Sequence, residues 1–223
     1  MKKHNDHAIV LSRLDYGERD RILTMLCREQ GKISVLAKSV RSEKSRLAGG
    51  IELLSESEVS FIEGKTDLKT LTGARLIVHF GNLTADIRRM QQAFGCIKII
   101  NDIADEAAGQ EYYPVLLLAL KTLNDGAYDP RIIDIWFNLR LMKLSGSEPN
   151  LNLASEASVS FGFDYDRQQF AENPNGGFTK NDLKLLRVCL SQSKPPKLQY
   201  ELGSEDRLQA LIRTLLKSNL TEI

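Results

Sequence analysis

Between Ile51 and Phe61 the chain alternates with a period of two. Ile51, Leu53, Ser55, Ser57, Val59 and Phe61 occupy the odd positions, while Glu52, Glu56 and Glu58 share the other face. A period of two is that of a half-buried strand, and it excludes a helix for this segment. Four further short segments read the same way. They are the β-branched run at 8–14, its return at 22–29, the alternation Ile33, Val35, Ala37 over 33–38, and a segment from Leu68 to about Ala74. Turns around Gly17, Gly31, Gly49-Gly50 and Gly64 separate them. Five short strands in so little chain cannot cover both faces of an open sheet, and closure removes the exposed edges. The expected unit is a five-stranded Greek-key barrel of the OB-fold kind, whose open face and loops take nucleic acid strands.

After Phe80 the period changes to that of helices. The reading is a domain of residues 1–80, the barrel, followed by an α-helical domain of residues 81–223. The fold class is α+β. A helix is predicted over 83–106, with Ile87, Met90, Phe94, Ile97 and Ile100 on one side, and another over 114–123. Asp129-Pro130 is a cap followed by proline at the first helical position, and it opens a helix over 131–144. Ile132, Ile133, Ile135, Trp136, Phe137, Leu139, Leu141, Met142 and Leu144 cover most of its circumference, so it belongs at the centre of a bundle. Residues 146–178 are irregular and rich in Ser, Asn and Gly. Two more helices follow, over 179–190 and over 204–218, the last capped by Ser204 with Leu208, Leu211, Ile212, Leu215 and Leu216 as its apolar face.

The stretch Gly31–Arg46 begins as a strand and then turns polar and basic. Lys32, Lys38, Arg41, Lys44 and Arg46 face the single acid Glu43, with Ser39, Ser42 and Ser45 among them. Clustered cations with short hydroxyl side chains suit phosphate oxygens. Residues 1–80 carry 14 Lys/Arg against 11 Asp/Glu, and this stretch supplies the surplus in a chain whose formal net charge is only +1. Its nearby aromatics are few: Tyr16, Phe61 and Phe80, with Phe61 on the apolar side of its strand. Binding through backbone charge with little base readout is the expectation, and Lys32, Lys38, Arg41, Lys44 and Arg46 are the candidate DNA-binding residues.

Catalytic constellations are not found. Gly31-Lys32 lacks the remainder of a phosphate-cradling Gly-x-x-x-x-Gly-Lys-Ser/Thr frame. His4 and His7 fall at a start that reads as irregular, and Glu52, Glu56 and Glu58 read as an exposed strand face rather than a nuclease metal cluster. Cys27, Cys96 and Cys189 have no ligand spacing and read as small buried side chains. The absence of a long apolar run argues for a soluble, cytoplasmic protein without a membrane partner. In the second half, Lys180, Lys184 and Arg187 fall at i, i+4 and i+7. Arg140 points away from Asp134 and Asn138, the polar stripe of its helix, and so should be half-buried beside a carboxylate. Arg140, Lys180, Lys184 and Arg187 are candidates for docking an acidic peptide.

Asp15-Tyr-Gly-Glu-Arg-Asp-Arg-Ile22, then Gly31 with Ala37-Lys-Ser-Val-Arg-Ser-Glu-Lys-Ser-Arg46, resembles the N-terminal pattern of the bacterial recombination mediator family RecO. That pattern has a Tyr-Gly-Glu turn, an Ala-Lys-Gly-x-Arg stretch and a following Ser-Arg pair. Here Ser39 stands where it has glycine. Trp136-Phe-Asn-Leu-Arg-Leu141, running to Gly146 and Pro149, is similar to the family's central helix and the loop after it. The resemblance implies a non-enzymatic protein that binds single- and double-stranded DNA and anneals complementary strands. It also implies help in loading RecA, with two partners: RecR and the acidic, aromatic-ended C-terminal tail of single-strand DNA-binding protein. An RNA-binding barrel of translation or ribosome assembly is the alternative reading, and a metal-dependent nuclease is a third.

Many relatives carry a four-cysteine zinc finger where this chain has Ser158-Val-Ser-Phe-Gly162 and Gly176-Gly-Phe-Thr179. With no thiolate ligand there, no zinc and no other cofactor are expected. The segment should be held by packing of Phe161, Phe163, Tyr165 and Phe178. Elemental analysis of the purified protein should therefore find no stoichiometric zinc, and a chelator should leave its melting temperature unchanged; about one zinc per chain would refute this.

Overall fold

The computed structural model describes residues 2–43, 45–64, 68–152, 160–198 and 205–220. Lys44, Ser158 and Ser204 lie outside the described residues. Five strands, β1 (Lys3–Tyr16), β2 (Asp20–Cys27), β3 (Gly31–Ala37), β4 (Ser55–Ile62) and β5 (Lys69–His79), close a barrel in the order β1-β2-β3-β5-β4. All neighbours are antiparallel except β3 and β5. The inward residues are those the alternation marks: Ala8, Val10, Leu23, Met25, Cys27, Ile33, Val35, Ala37, Val59, Phe61 and Leu71 form the core, joined by Val40 and Ile51.

Two strands are longer than the sequence suggests. β1 begins at Lys3, so the start of the chain is ordered strand rather than an irregular lead. His4 stacks on Phe61 with centroids 5.3 Å apart, and its Nε2 lies 2.9 Å from Glu63. β5 continues past Ala74 to His79, paired with β4 along its length. In contrast β4 starts only at Ser55, because Leu54 takes a left-handed φ of 56° that breaks the extended run.

Closure between β3 and β5 is brief, with Val35 opposite Lys69 and Leu36 opposite Thr70. Below these pairs the free edge of β3 is taken by the segment after α1 (Ile87–Ile103). The Lys32 N–H donates to the Ala108 carbonyl at 2.8 Å, and the Ala107 N–H donates to the Lys32 carbonyl at 2.7 Å. α2 (Tyr112–Asp125) follows. The chain divides into two compact units, Met1–Asn124 and Asp125–Ile223. The strand-to-helix change thus falls at Phe80, while α1 and α2 are grouped with the barrel.

α1 starts at Ile87, where Asp86 accepts the Arg88 and Arg89 N–H groups, and a 3₁₀ turn over Gly81–Ala85 precedes it. Its buried side is Ala93, Cys96, Ile97 and Ile100. Ile87 and Phe94, expected to share that side, are 65% and 40% exposed.

In the second unit α3 (Pro130–Leu144) is buried continuously from Ile132 to Leu139, and Asp129 caps it as expected. α4 (Lys180–Ser191) opens with a reciprocal cap between Thr179 and Asp182, and α5 (Glu205–Leu220) follows. Leu208, Leu211, Ile212, Leu215 and Leu216 are buried. Asp134 and Asn138 are not a solvent-facing stripe. Asp134 accepts from Gln209 Nε2 at 3.0 Å and lies 3.0 Å from Arg213 Nη2, because α5 covers that side of α3. Between α3 and α4, strands β6 (Ser160–Asp164), β7 (Gln169–Glu172) and β8 (Phe178–Thr179) form a small sheet in the order β7-β6-β8. Phe163 meets Tyr165 and Phe170 edge to face, and Phe170 meets Phe178 the same way, at centroid distances of 5.0–5.4 Å. Such pairs contribute about 0.5–1.5 kcal/mol each beyond their burial.

Gly31 carries the tightest backbone contact at the β3 edge. Its φ is +67°, and a Cβ there would lie 2.3 Å from the Ala108 carbonyl oxygen. Gly31→Ala should cost about 2–4 kcal/mol, from left-handed strain plus overpacking. Gly17→Ala, at φ +60° with open space around it, should cost only the strain. Urea unfolding of the two variants side by side checks the difference.

Candidate nucleic-acid interface

The basic stretch after β3 is not a free loop. Val40 is buried in the barrel core. The Ser39 N–H donates to Asp20 Oδ1 at 2.7 Å, and the Arg41 N–H donates to the Arg19 carbonyl at 3.0 Å. These bonds tie the stretch to the β1–β2 hairpin tip. Ser42 Oγ donates to the Ser39 carbonyl, so its donor is used within the turn, whereas Ser45 Oγ accepts the Leu47 N–H and keeps its own O–H as a donor. Held this way, Lys38, Arg41 and Arg46 are exposed on an ordered backbone.

The hairpin brings in cations that a linear reading of residues 31–46 misses. Arg21 Nε bonds Asp15 Oδ1 at 2.8 Å, and Arg41 Nε lies 3.6 Å from Asp15 Oδ2. The Arg21 hydrogen bond, with the fields of Arg41 and Arg13 behind it, holds the Asp15 carboxyl below the usual carboxylate range. Arg13 pairs with Glu52 at 2.7 Å. Among the described residues, Arg19, Lys38 and Arg46 have no ion-pair partner. The available signal was the turn around Gly17, which folds residues 13–16 back beside 20–23 and against whatever follows β3.

Lys32 sits elsewhere. Its ammonium donates to the carbonyls of Asn101 and Ala104, at 2.9 and 2.5 Å, at the C-terminal end of α1. A cation there satisfies carbonyls left without helical donors and complements the helix dipole. The structure therefore groups Lys38, Arg41 and Arg46 and sets Lys32 apart, at the far end of β3.

Glu56 also departs from the exposed face the alternation suggested: it is buried. Tyr113 donates its hydroxyl to Glu56 Oε1 at 2.8 Å, and Lys121 Nζ lies 3.6 Å from Oε2. His7 Nδ1 is 3.5 Å from Oε1. Burial, reinforced by this hydrogen bond, pushes the Tyr113 hydroxyl well above the usual tyrosine range. Glu52 and Glu58 are separately paired, with Arg13 and Arg75. Among the described residues no three His, Cys, Asp or Glu side chains gather as a metal site. Cys27, Cys96 and Cys189 are buried, and burial pushes the Cys189 thiol up to about 12.

The second unit holds an open cleft of about 530 Å³ lined in part by Lys143, Pro149, Leu151, Arg187 and Leu190. Arg187 donates from Nε and Nη2 to the Leu151 carbonyl, at 3.1 and 2.7 Å. Lys180, Lys184 and Arg140 do not line this cleft. Arg140 is half-buried as expected, yet the carboxylate partner expected for it is not found among the described residues.

A closed barrel in 1-2-3-5-4 order with exposed cations at its rim defines the oligonucleotide-binding class of fold. Residues 1–80 match the family described as recombination protein O N terminal. The chain is 34% identical over 153 residues to the DNA repair protein RecO of Heliobacterium modesticaldum, an alignment covering 69% of this chain and 55% of that protein. It is 37% identical over 145 residues to that of Dehalococcoides mccartyi, covering 65% and 56%. With that of Rubrobacter xylanophilus it shares 29% identity over 211 residues, 95% of this chain and 81% of that one. The first 80 residues carry the N-terminal pattern of the RecO family, and similarity to RecO proteins extends over nearly the whole chain. Its alignments with the first two span only a little over half of those relatives' length.

Ser39 has a φ of 54°, a left-handed conformation. The glycine of the family-like pattern at this position suits that geometry, and serine carries a Cβ penalty there. Ser39→Gly should raise the unfolding free energy by about 0.5–1 kcal/mol, read by denaturant titration, since the bond from its N–H to Asp20 is kept. A loss of stability would show that the serine side chain contributes more than its backbone strain costs.

Proposed function

We propose that this chain is a non-enzymatic, DNA-binding assembly protein of recombinational DNA repair, with the barrel rim around residues 38–46 as its phosphate-binding surface. The observation that carries this reading is the basic stretch itself, anchored by Val40, Asp20 and Arg19 so that Lys38, Arg41 and Arg46 project from ordered backbone. Lys44 belongs to the same set by sequence. An anchored backbone leaves less conformational entropy to lose on binding, so more of the attraction to phosphate is kept. Neutralising phosphates on one strand lets a complementary strand approach, which is the physical requirement for annealing. Such contacts read no bases, as suits a protein acting on any sequence and on both single and double strands. Loading of RecA onto single strands coated by single-strand DNA-binding protein, and an association with RecR, complete the proposed role in the cytoplasm. No helix among the described residues is long and apolar enough to cross a membrane.

If Lys38, Arg41, Lys44 and Arg46 each neutralise one phosphate, the log–log dependence of single-strand affinity on salt should have a slope near about −3, from roughly −0.7 per contact. Replacing all four by Gln should flatten the slope, weaken binding on every sequence alike and abolish annealing. Thermal stability should change little, because an exposed pair such as Arg41 with Asp15 contributes only about 0–1 kcal/mol. A folded quadruple variant with an unchanged slope would move the DNA site elsewhere.

We further propose that the second unit receives the acidic, aromatic-ended tail of single-strand DNA-binding protein. The cleft beside Arg187 sets Lys143 and Arg187 among the apolar Pro149, Leu151 and Leu190, with Glu148 as its one acid among the described residues; Arg140, Lys180 and Lys184 are further cations of α3 and α4. Arg187 also holds the Leu151 carbonyl, so its replacement disturbs the cleft wall as well as the charge. The cleaner test is the triple variant Arg140→Ala, Lys180→Ala, Lys184→Ala beside Arg187→Lys. Loss of a desolvated charge pair should weaken binding of a labelled tail peptide by about 2–5 kcal/mol, measured by anisotropy. Unchanged peptide affinity in both variants would refute the assignment.

A further inference from the structure

α1 buries one side and leaves the other bare. At about 100° per residue, Ile87, Arg88, Gln91, Phe94, Gly95, Lys98 and Asp102 fall within a stripe roughly 120° wide, and all seven are exposed. The buried Ala93, Cys96, Ile97 and Ile100 lie on nearly the opposite side. Ile87, at 65% exposure, and Phe94, at 40%, put apolar surface on this stripe. Arg89 pairs with Asp86 at 3.5 Å, whereas Arg88, Lys98 and Asp102 have no ion-pair partner among the described residues. Gly95 stands in the middle, where a Cβ would meet nothing within 4 Å. Packing inside the chain does not call for glycine there, and any residue but proline would suit the helix better.

We propose that this face of α1 docks on the same face of a second copy of the chain, with the two helices antiparallel. The charges select both the occupant and the direction. Place the two-fold axis between Phe94 and Gly95, at the shallow crossing of roughly 20° that keeps long helix pairs in contact. Arg88 then lies level with Asp102 of the other copy to within one residue, and Gln91 lies level with Lys98. Symmetry makes each pair twice. The two Phe94 rings meet at the axis, as aromatic pairs favour. The two Gly95 positions meet beside them, where the missing side chains let the helices approach. The positive N-terminal end of each helix also lies beside the negative C-terminal end of the other. A parallel pair would instead set Arg88 on Arg88, Lys98 on Lys98 and Asp102 on Asp102. Neither a polyanion nor a polycation matches a stripe that carries both signs, whereas its own copy reversed does. A helix of 17 residues is about 25 Å long, and seven residues a side fall short of the roughly 20–30 of a standard interface. The dimer is therefore weak, with a Kd on the order of 100 μM.

This contact does not rest on the DNA-binding reading, and it is measured without nucleic acid. Sedimentation equilibrium of the full chain, up to about 1 mM, should show a monomer–dimer equilibrium. Gly95→Leu should raise the dissociation constant at least about tenfold by filling the close approach. Its melting temperature should hold or rise, because the position is open and leucine is the better helix former. Arg88→Asp and Asp102→Arg should each weaken the dimer by about tenfold, since two attractive pairs become repulsive. Neither should lower the melting temperature, because an acid in the first turn and a cation in the last suit the helix dipole. Mixed in equal amounts, these two charge variants should associate as tightly as the unaltered protein, each meeting the opposite sign at both ends. A protein still monomeric at about 1 mM would overturn the proposal. Self-association that Gly95→Leu leaves unchanged would overturn it too, by placing the contact elsewhere. A mixture of the charge variants no tighter than either alone would refute the antiparallel pairing.

Discussion

The barrel depends on how the exposed edge of β3 is satisfied. β5 reaches only Val35 and Leu36, so the rest of the edge would present unpaired N–H and C=O groups to any passing strand. The segment after α1 takes that place through the backbone of Lys32, Ala107 and Ala108. Lys32 then reaches the end of α1 with its ammonium, so one residue closes the edge and ends the helix. Gly31 makes the approach possible, because any side chain there would meet the Ala108 carbonyl. Barrel, α1 and the connection to α2 therefore form one unit.

A second buried polar group fastens α2 to the same unit. Glu56 lies on the outer face of β4 and would be an exposed acid on an isolated barrel. Covered by α2, it is held by Tyr113 and Lys121 from the helix and faced by His7 from β1. A buried carboxylate without such partners would be costly, so the helix and the acid are only compatible together. On the opposite side of β1, Asp6 accepts the Glu29 and Gln30 N–H groups and holds the β2–β3 turn. In the second unit the small sheet of β6, β7 and β8 is held together by aromatic packing. Its edge-to-face contacts run from Tyr165 through Phe163 and Phe170 to Phe178.

The same fastening orders the rim. Arg41 shares Asp15 with Arg21, while Lys38, Arg19 and Arg46 have no ion-pair partner among the described residues. The hairpin tip and the start of the turn after β3 are tied together by the Ser39–Asp20 and Arg41–Arg19 hydrogen bonds, so Arg19 and Lys38 stand near the end of the row of Leu14, Ile22 and Leu36. Charge and apolar surface meet at one end of a barrel whose other end is occupied by its own helices.

Much of this was legible in the sequence. The alternation of Ile51–Phe61 and of Ile33, Val35 and Ala37 marked the inward residues, because side-chain direction in a strand has a period of two wherever the strand lies. Asp129-Pro130 and the apolar circumference of α3 were equally readable, since caps and burial patterns are local. The same local rules misplaced Glu56, Lys32, Ile87 and Asp134. For Glu56, Lys32 and Asp134 the deciding partner lies far along the chain: Tyr113, the carbonyls of Asn101 and Ala104, and Gln209 with Arg213. Ile87 shows the limit in the other direction, since a helical stripe says which residues share a side but not where a neighbour stops covering it. The rim was half legible: the cations of residues 38–46 are visible in order, but Arg19 and Tyr16 join them only through the register of β1 on β2. Sequence by itself determined which residues face inward and where strands give way to helices, because backbone geometry sets those periods. Tertiary structure alone decided which exposed-looking charges are buried and which cations remain free, because desolvation and ion pairing depend on what packs against a residue, and nothing in its near neighbours along the chain contains that.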